Sequence, residues 1–281
     1  MKLFMITLIF TLLSISPTWS DEEEKSRSHE EFPIQLKIEN TDYKATVYVP
    51  TKTSIKAMLI ITPSIDGVTI METSNAAYFS KRGYVVIVPE AFATEMMKHE
   101  PDTEKINSEY YKPVVSTINF INHVDQKLKL KPNLPIFTLG SSQGGIISML
   151  LASHIPRVTA TWAVVAGGDL PYIYAHSDVA QIVKFRINHM RFLKMTNNNV
   201  YENYLRMYLK NDPAISCKEI KVPFHQTIAT RDTSVPTRTQ ELLVDECPPH
   251  SVSRYSLNHT SGALTAVKDR QEILEYFDDL I

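Results

Sequence analysis

Six residues, Gly140-Ser141-Ser142-Gln143-Gly144-Gly145, carry the clearest chemical signal in the chain. They form a G-x-S-x-G pattern between a β-type run, Pro135–Leu139 (PIFTL), and an apolar helical run, IISMLLAS. A serine at a sharp, strained strand-to-helix turn lifts its hydroxyl above the sheet edge, where a base can make it a nucleophile. Larger side chains two positions to either side would strike the neighbouring strand and helix, so Gly140 and Gly144 are expected there. The backbone N–H of Gln143, at the start of the helix, is placed to face a developing oxyanion. Three of the chain's eight glycines fall within these six positions, so the turn and not chance composition concentrates them. The plain alternative is an ordinary glycine-rich turn or a phosphate cradle. A phosphate loop would end in G-K-[ST] or read G-x-G-x-x-G, and neither is present.

A nucleophile needs a base, and the surrounding elements decide which of nine histidines can reach it. Phe32–Ile38 and Tyr43–Val49 alternate apolar and polar residues around Glu39-Asn40-Thr41-Asp42, a hairpin signal. Ala57–Thr62, Tyr84–Val88, Pro135–Leu139, Val158–Ala166 and Val222–Ala229 read as buried strands, with Val252–Leu257 as a sixth. Helical spacing covers Thr73–Arg82, Glu104–Leu130 (with Pro113 as a candidate interruption), Gly144–His154, Arg238–Glu246 and Ala263–Ile281. Buried strands alternating with helices imply an α/β fold with a mostly parallel central sheet covered on both faces. Ligands bind at the carboxyl edge of such sheets. Ser142 sits at that edge, and so does His259, just past the last strand. His250 lies at the opposite end of that strand. His123, His154 and His189 fall in helical runs, His225 inside a strand, His99 and His176 in loops, and His29 near the start. His259 is therefore the expected base.

With Ser142 and His259 in place, the mature chain, after a signal segment cleaved behind Ser20, resembles the α/β-hydrolase superfamily over nearly its whole length. The G-x-S-x-G-G form is similar to that of dienelactone-hydrolase-like and acetyl-ester-cleaving members. The resemblance implies an α/β-hydrolase fold with a helical cap, and functional residues in the chain order serine, acid, histidine. The acid commonly follows the strand after the cap. Arg231-Asp232-Thr233-Ser234-Val235-Pro236 matches the superfamily's D-x-x-V-P-like loop there, which makes Asp232 the expected acid. Asp169, after Gly167-Gly168, is the rival one strand earlier. A second oxyanion N–H is expected from Pro63-Ser64-Ile65-Asp66-Gly67. Many relatives carry His-Gly at this point and this chain does not. Pro63 has no N–H, which leaves Ile65, with Ser64 as alternate. Asp66 reads either as half of an Asp-Gly turn or as a grip for a substrate amine.

The remaining features bound the setting. Lys plus Arg number 29 against 31 Asp plus Glu, so there is no electrostatic reason to expect a nucleic-acid or anionic-membrane partner. No H-x-x-x-H or H-E-x-x-H pair and no dinucleotide fingerprint occur, so neither metal nor cofactor is expected. Lys2 followed by the thirteen apolar residues Leu3–Ile15 and by Ser16-Pro17-Thr18-Trp19-Ser20 reads as a signal peptide cleaved after Ser20. The run is too short for a stable membrane anchor. Residues 21–31 read as a disordered leader and residues 32–281 as one domain. Export to the periplasm or beyond places Cys217 and Cys247 in an oxidising compartment. One precedes the fifth strand and the other follows the next helix, so a disulfide between them is expected. Asn258-His259-Thr260 matches a glycosylation sequon, but a glycan there would sit on the base, so it reads as coincidence. Residues 169–213 are too long for a plain loop. They read as a cap: Ser177–Thr196 as a helix with Ser177 as N-cap, then a shorter helix over Val200–Lys210. Phe185, His189 and Phe192 form the face expected to wall an acyl pocket. Together these features point to an exported serine hydrolase of small-molecule carboxylic esters. A serine peptidase and a catalytically silent binding protein are the alternatives on the same fold.

Overall fold

The computed structural model describes residues 28–90 and 103–281. The signal-peptide reading, most of the proposed leader, and His99 lie outside them. Eight strands form one sheet: β1 (His29–Ile38), β2 (Thr41–Pro50), β3 (Ala57–Thr62), β4 (Tyr84–Pro89), β5 (Ile136–Ser141), β6 (Val158–Val164), β7 (Phe224–Ala229) and β8 (Ser251–Tyr255). Their order across the sheet is β1-β2-β4-β3-β5-β6-β7-β8. β1 and β2 form the expected hairpin, its turn reduced to Glu39-Asn40 with Glu39 at a φ of 55°. β2 joins β4 antiparallel, and every pairing from β4 across to β8 is parallel. The last three residues of the expected leader, His29, Glu30 and Glu31, pair with Pro50, Val49 and Tyr48 in turn and so belong to the sheet, not to a disordered segment.

β3, β4 and β5 are buried along their whole length, as their near-continuous apolar sequences require. Alternate residues face two separate cores. On one face Met58, Ile60, Val85, Ile87 and Ile136 pack beneath helices α2 (Thr103–Leu128) and α3 (Gln143–His154). On the other, Leu59, Val86, Phe137 and Trp162 meet α1 (Ile70–Ser80) and the C-terminal segment. α1 begins with a capping box: Thr69 Oγ1 accepts from Met71 N, and Glu72 Oε2 accepts from Thr69 N at 2.8 Å. α2 runs unbroken through Pro113, so that residue does not end the helix as its type suggests.

Two expected elements differ. Ala263–Ile281 is not one helix but α9 (His259–Ala263), α10 (Thr265–Lys268) and α11 (Arg270–Asp278), following α8 (Thr237–Glu246) in the chain. Tertiary hydrogen bonds accompany the breaks. Asn75 of α1 donates to the Ala266 carbonyl at 3.1 Å, and the Tyr255 hydroxyl donates to Asp269 at 3.0 Å. The second difference is the insertion between β6 and β7. It holds α4 (Leu170–His176), α5 (Ala180–Phe192), α6 (Asn198–Tyr208) and the short α7 (Pro213–Ser216). Ser177 ends α4, a seven-residue helix that Asp169 caps at its start, and α5 begins only at Ala180.

Cys217 and Cys247 are joined, with Cα atoms 5.9 Å apart across 30 residues of chain. The bond ties the approach to β7 to the end of α8. A cleft of about 590 Å³ opens beside it, lined by Lys221, Pro223, Phe224, Pro248 and His250. This is the amino edge of the sheet, so His250 lies at the end of β8 away from His259, as the sequence indicates. Closing a 30-residue loop in the unfolded chain stabilises by about 3–4 kcal/mol in the chain-entropy model. The unreduced protein should show no titratable thiol. The Cys217→Ser/Cys247→Ser double variant should lose about that much in urea unfolding, and two free thiols in the unreduced protein would contradict the pairing.

Candidate active site

The strand-to-helix turn at Ser142 is held by backbone contact. A Cβ at Gly140 would run into the Gly144 carbonyl and Thr62 Oγ1, and one at Gly144 into the Thr62 carbonyl oxygen. Thr62, at the end of β3, donates to the Gly144 carbonyl at 2.6 Å and lies 2.7 Å from Ser148 Oγ. β3, β5 and α3 therefore meet with no room for side chains. Ser142 bridges them at φ 58° and ψ −124°, a conformation that L-residues rarely adopt and that costs on the order of 1–3 kcal/mol. Its N–H donates to Val164 O at 2.9 Å and its carbonyl accepts from Ile146 N at 3.0 Å, so both backbone groups remain paired. The side chain is thrown out toward the carboxyl edge.

His259 arrives from the other direction, on the first turn of α9. Asn258 caps that helix, its side-chain oxygen accepting from Ser261 N at 3.0 Å. The sequon asparagine thus already serves the backbone beside the imidazole. His259 Nδ1 lies 2.7 Å from Asp232 Oδ2, and Nε2 lies 2.9 Å from Ser142 Oγ. A carboxylate only accepts, so Nδ1 donates to Asp232. Nε2 then keeps its lone pair and accepts from the Ser142 hydroxyl. The Asp232 side chain is fully buried and the imidazole about one-fifth exposed, so only the histidine and serine face outward.

Asp232 is held by four donors. Oδ1 accepts from Ser234 N and Val235 N, each at 2.9 Å, and Oδ2 accepts from Gln240 Nε2 at 2.9 Å as well as from His259. Gln240 also donates to Val235 O and accepts from Ala229 N, locking the loop to the end of β7. The rival Asp169 is excluded by position. Its carboxylate accepts from Arg206 of α6 at 2.8 Å and from Tyr172 N, with a left-handed φ of 60°. It organises the insertion and does not meet the imidazole.

On the side of β3, Gly67 N donates to Ser64 O at 3.0 Å, and Gly67 has a φ of 87°. Asp66 is thus part of a tight turn, and its carboxylate accepts from Gln181 of α5 at 3.1 Å. The Thr62–Pro63 backbone against Gly144 brings the Ser64-Ile65 segment beside the start of α3. The Gln143 side chain is hydrogen-bonded to the buried Tyr110 hydroxyl of α2, whose pKa burial pushes up. That hydroxyl lies 3.4 Å from the Tyr174 hydroxyl of α4. Among the described residues no three His, Cys, Asp or Glu side chains gather as a metal would need.

The insertion does not use the face expected of it. Phe192 is 65% exposed to solvent. Phe185 is buried against Tyr174 and His189, and His189 is bonded to Tyr201. These rings pack against one another within the insertion, and Phe192 faces solvent. The part that reaches the site is the α4–α5 turn: Asp178 contacts Thr233 and Ser234 beyond the acid, and Gln181 contacts Asp66. Neither was singled out in the sequence, where Ser177-Asp178 looked like a simple helix start.

Asp212 was also missed. Buried at the far end of the insertion, it accepts from Asp169 N, Leu170 N and Ala214 N at 2.9, 2.6 and 2.9 Å, fastening the insertion's two ends. Burial, outweighing those N–H groups, pushes its pKa up to about 6.

The dienelactone hydrolase family model matches residues 43–186, which carry β2 to the first turns of α5. No curated protein matches the sequence. Among solved structures, the Pyrococcus horikoshii acylaminoacyl peptidase superposes with a TM-score of 0.67 at 14% identity. It covers 92% of this chain, which spans only 42% of the peptidase. A Klebsiella pneumoniae structure assigned as a dienelactone hydrolase gives 0.59 at 15% identity, covering 89% of this chain and 98% of its own. The Pyrococcus furiosus esterase Pf2001 gives 0.61 at 12%, covering 91% and 95%. At such identities the likeness is one of fold, and the fold is that of the α/β-hydrolases.

The raised pKa of Asp212 fixes a sign. Between about pH 4 and 6 the native state keeps a proton that the unfolded chain has released, so this group's contribution to stability is lost as pH rises through that window. Asp212→Asn keeps a carbonyl acceptor and cannot ionise. From pH 4.5 to 7 the wild type should lose more stability than Asp212→Asn, by on the order of 2 kcal/mol in urea unfolding. Parallel pH curves would show that Asp212 does not titrate there.

Proposed function

This chain belongs to the dienelactone hydrolase family, and from that premise we propose that it is an exported serine hydrolase of small-molecule carboxylic esters. The observation that carries the proposal is the unbroken chain Ser142 Oγ–His259–Asp232, presented at the carboxyl edge by a serine with positive φ. Ser142 Oγ attacks the acyl carbon while His259 Nε2 takes its proton. Asp232 accepts from Nδ1 and stabilises the imidazolium. The oxyanion meets the N–H groups of Gln143 and of Ile65, with Ser64 as the alternate, at the positive end of α3. Collapse of the tetrahedral intermediate expels the alkoxide, which leaves with the proton from His259. Water, deprotonated by the same nitrogen, then attacks the acyl-serine and restores Ser142 Oγ–H.

The structure of the Asp66 loop favours an ester over an aminopeptidase-type substrate. The Asp66 carboxylate, the candidate grip for a substrate amine, is turned towards the insertion, where its Oδ1 accepts from Gln181, and it sits in a tight turn. Export is supported by the N-terminal sequence and by the Cys217–Cys247 bond, which suits an oxidising compartment. No described helix is long and apolar enough to cross a membrane.

Ser142→Ala and His259→Ala should each lower kcat for p-nitrophenyl acetate by at least about 10³-fold, since the members of such a set act as a unit. Ser141→Ala and His250→Ala should remain within about threefold of wild type on the same scale. An aminoacyl p-nitroanilide should turn over more slowly than the ester. The reverse preference would make the protein a peptidase, and turnover of neither substrate would favour a silent binding protein.

A further inference from the structure

The α4–α5 turn and the loop that carries Asp232 are joined by four hydrogen bonds. Thr233 Oγ1 donates to Asp178 Oδ2 at 2.6 Å, and Ser234 Oγ donates to Asp178 Oδ1 at 2.7 Å. Ser177 Oγ donates to the Ser234 carbonyl at 2.6 Å, and Asp178 N donates to the Thr233 carbonyl at 3.4 Å. The residues gripped in this way are the two that follow the acid. The Ser234 N–H is one of the donors fixing Asp232 Oδ1, and the Val235 N–H beside it is the other. Any shift of Thr233-Ser234 therefore moves the carboxylate that orients His259.

We propose that Asp178 is a positioning residue for the hydrolysis described above: a carboxylate on the insertion that clamps Thr233 and Ser234 and so holds Asp232 in register with His259. The inference rests on that hydrolase reading. A hydrogen bond to a charged acceptor is stronger than one between neutral groups, and here both carboxylate oxygens are used on adjacent residues. The clamp spans two segments that are 55 residues apart in sequence and that no strand pairing connects. The Thr233 hydroxyl, followed by the Ser234 hydroxyl and the nearby His259, holds the exposed Asp178 below the usual carboxylate range despite some burial. It is thus a carboxylate at neutral pH, and its charge also favours the imidazolium that forms when Ser142 gives up its proton. Its neighbour Gln181 reaches Asp66 on the opposite side of the site. The start of the insertion therefore braces the acid loop and the β3 loop at once.

The test compares the exported wild type with Asp178→Ala, Asp178→Asn and the acid-loop variant Thr233→Val/Ser234→Ala. Three quantities are read: the rate of fluorophosphonate labelling at Ser142, and kcat per active site and KM for p-nitrophenyl acetate. A displaced orienting group costs rate more than binding. Asp178→Ala should lower kcat and labelling about tenfold with KM within about twofold. Asp178→Asn, which keeps a hydrogen-bonding group without the charge, should recover part of the loss. The acid-loop variant should show a similar loss, and combining it with Asp178→Ala should add little, as for two ends of one contact. The proposal is overturned if Asp178→Ala labels and turns over like wild type, if the loss lies in KM alone, or if the two sets of substitutions add in full. A wild type that does not label at Ser142 would instead overturn the hydrolase reading, and the clamp with it.

Discussion

At the turn after β5, three stretches of backbone approach until no side chain fits between them. Gly140 faces the Gly144 carbonyl and Thr62, and Gly144 faces the Thr62 carbonyl. This contact forces the chain to reverse at Ser142 in a left-handed conformation. The strain is borne locally by Thr62, whose hydroxyl donates to Gly144 O, and by the bond from Ser142 N to Val164 O. The same contact brings the β3 loop alongside the start of α3, where an oxyanion would lie. Loosening it would lose the projection of the hydroxyl and the approach of the β3 loop to α3 together, and two glycines and a small hydroxyl residue stand here.

His259 and Asp232 reach this point because β5, β6, β7 and β8 run parallel, so the loops after them open on one edge. Parallel strands alone place loops only to within several ångströms. The finer register comes from polar contacts that converge on Asp232: two backbone N–H groups, the Gln240 amide and the imidazole. The insertion adds its own bonds around this set and is itself fastened at the base by Asp212. The disulfide works at the far edge, limiting the unfolded chain and not shaping the site.

The sequence revealed what local sterics and strand order determine. The meeting of Ser142, His259 and Asp232 was legible because each lies within four residues of a strand's carboxyl end, and the parallel sheet brings those ends to one edge. The disulfide was legible by the same counting of strand and helix. The insertion was not. Its apolar spacing suggested a pocket wall at Phe185 and Phe192, but Phe185 is buried against Tyr174 and His189 inside the insertion and Phe192 lies in solvent. Apolar periodicity shows that a helix has a buried face, not which neighbour buries it. The apolar spacing of Ala263–Ile281 shows no break for a similar reason, since the bonds from Asn75 and Tyr255 come from outside that segment. Asp178 and Gln181 carried no local pattern, because each acts on a segment tens of residues away; Asp212 before Pro213 is a helix-start signal, which says nothing of its bonds back to Asp169 N and Leu170 N.

The central claim is that the strained turn makes Ser142, and not its neighbour, the nucleophile. The most direct measurement is peptide mapping by mass spectrometry after the exported protein has reacted with a fluorophosphonate. The account predicts one adduct on the peptide spanning Gly140–Gly145, with fragment ions assigning it to Ser142 and no adduct when His259 is replaced by alanine. An adduct on Ser141, an adduct that survives Ser142→Ala, or an unmodified wild type would contradict it.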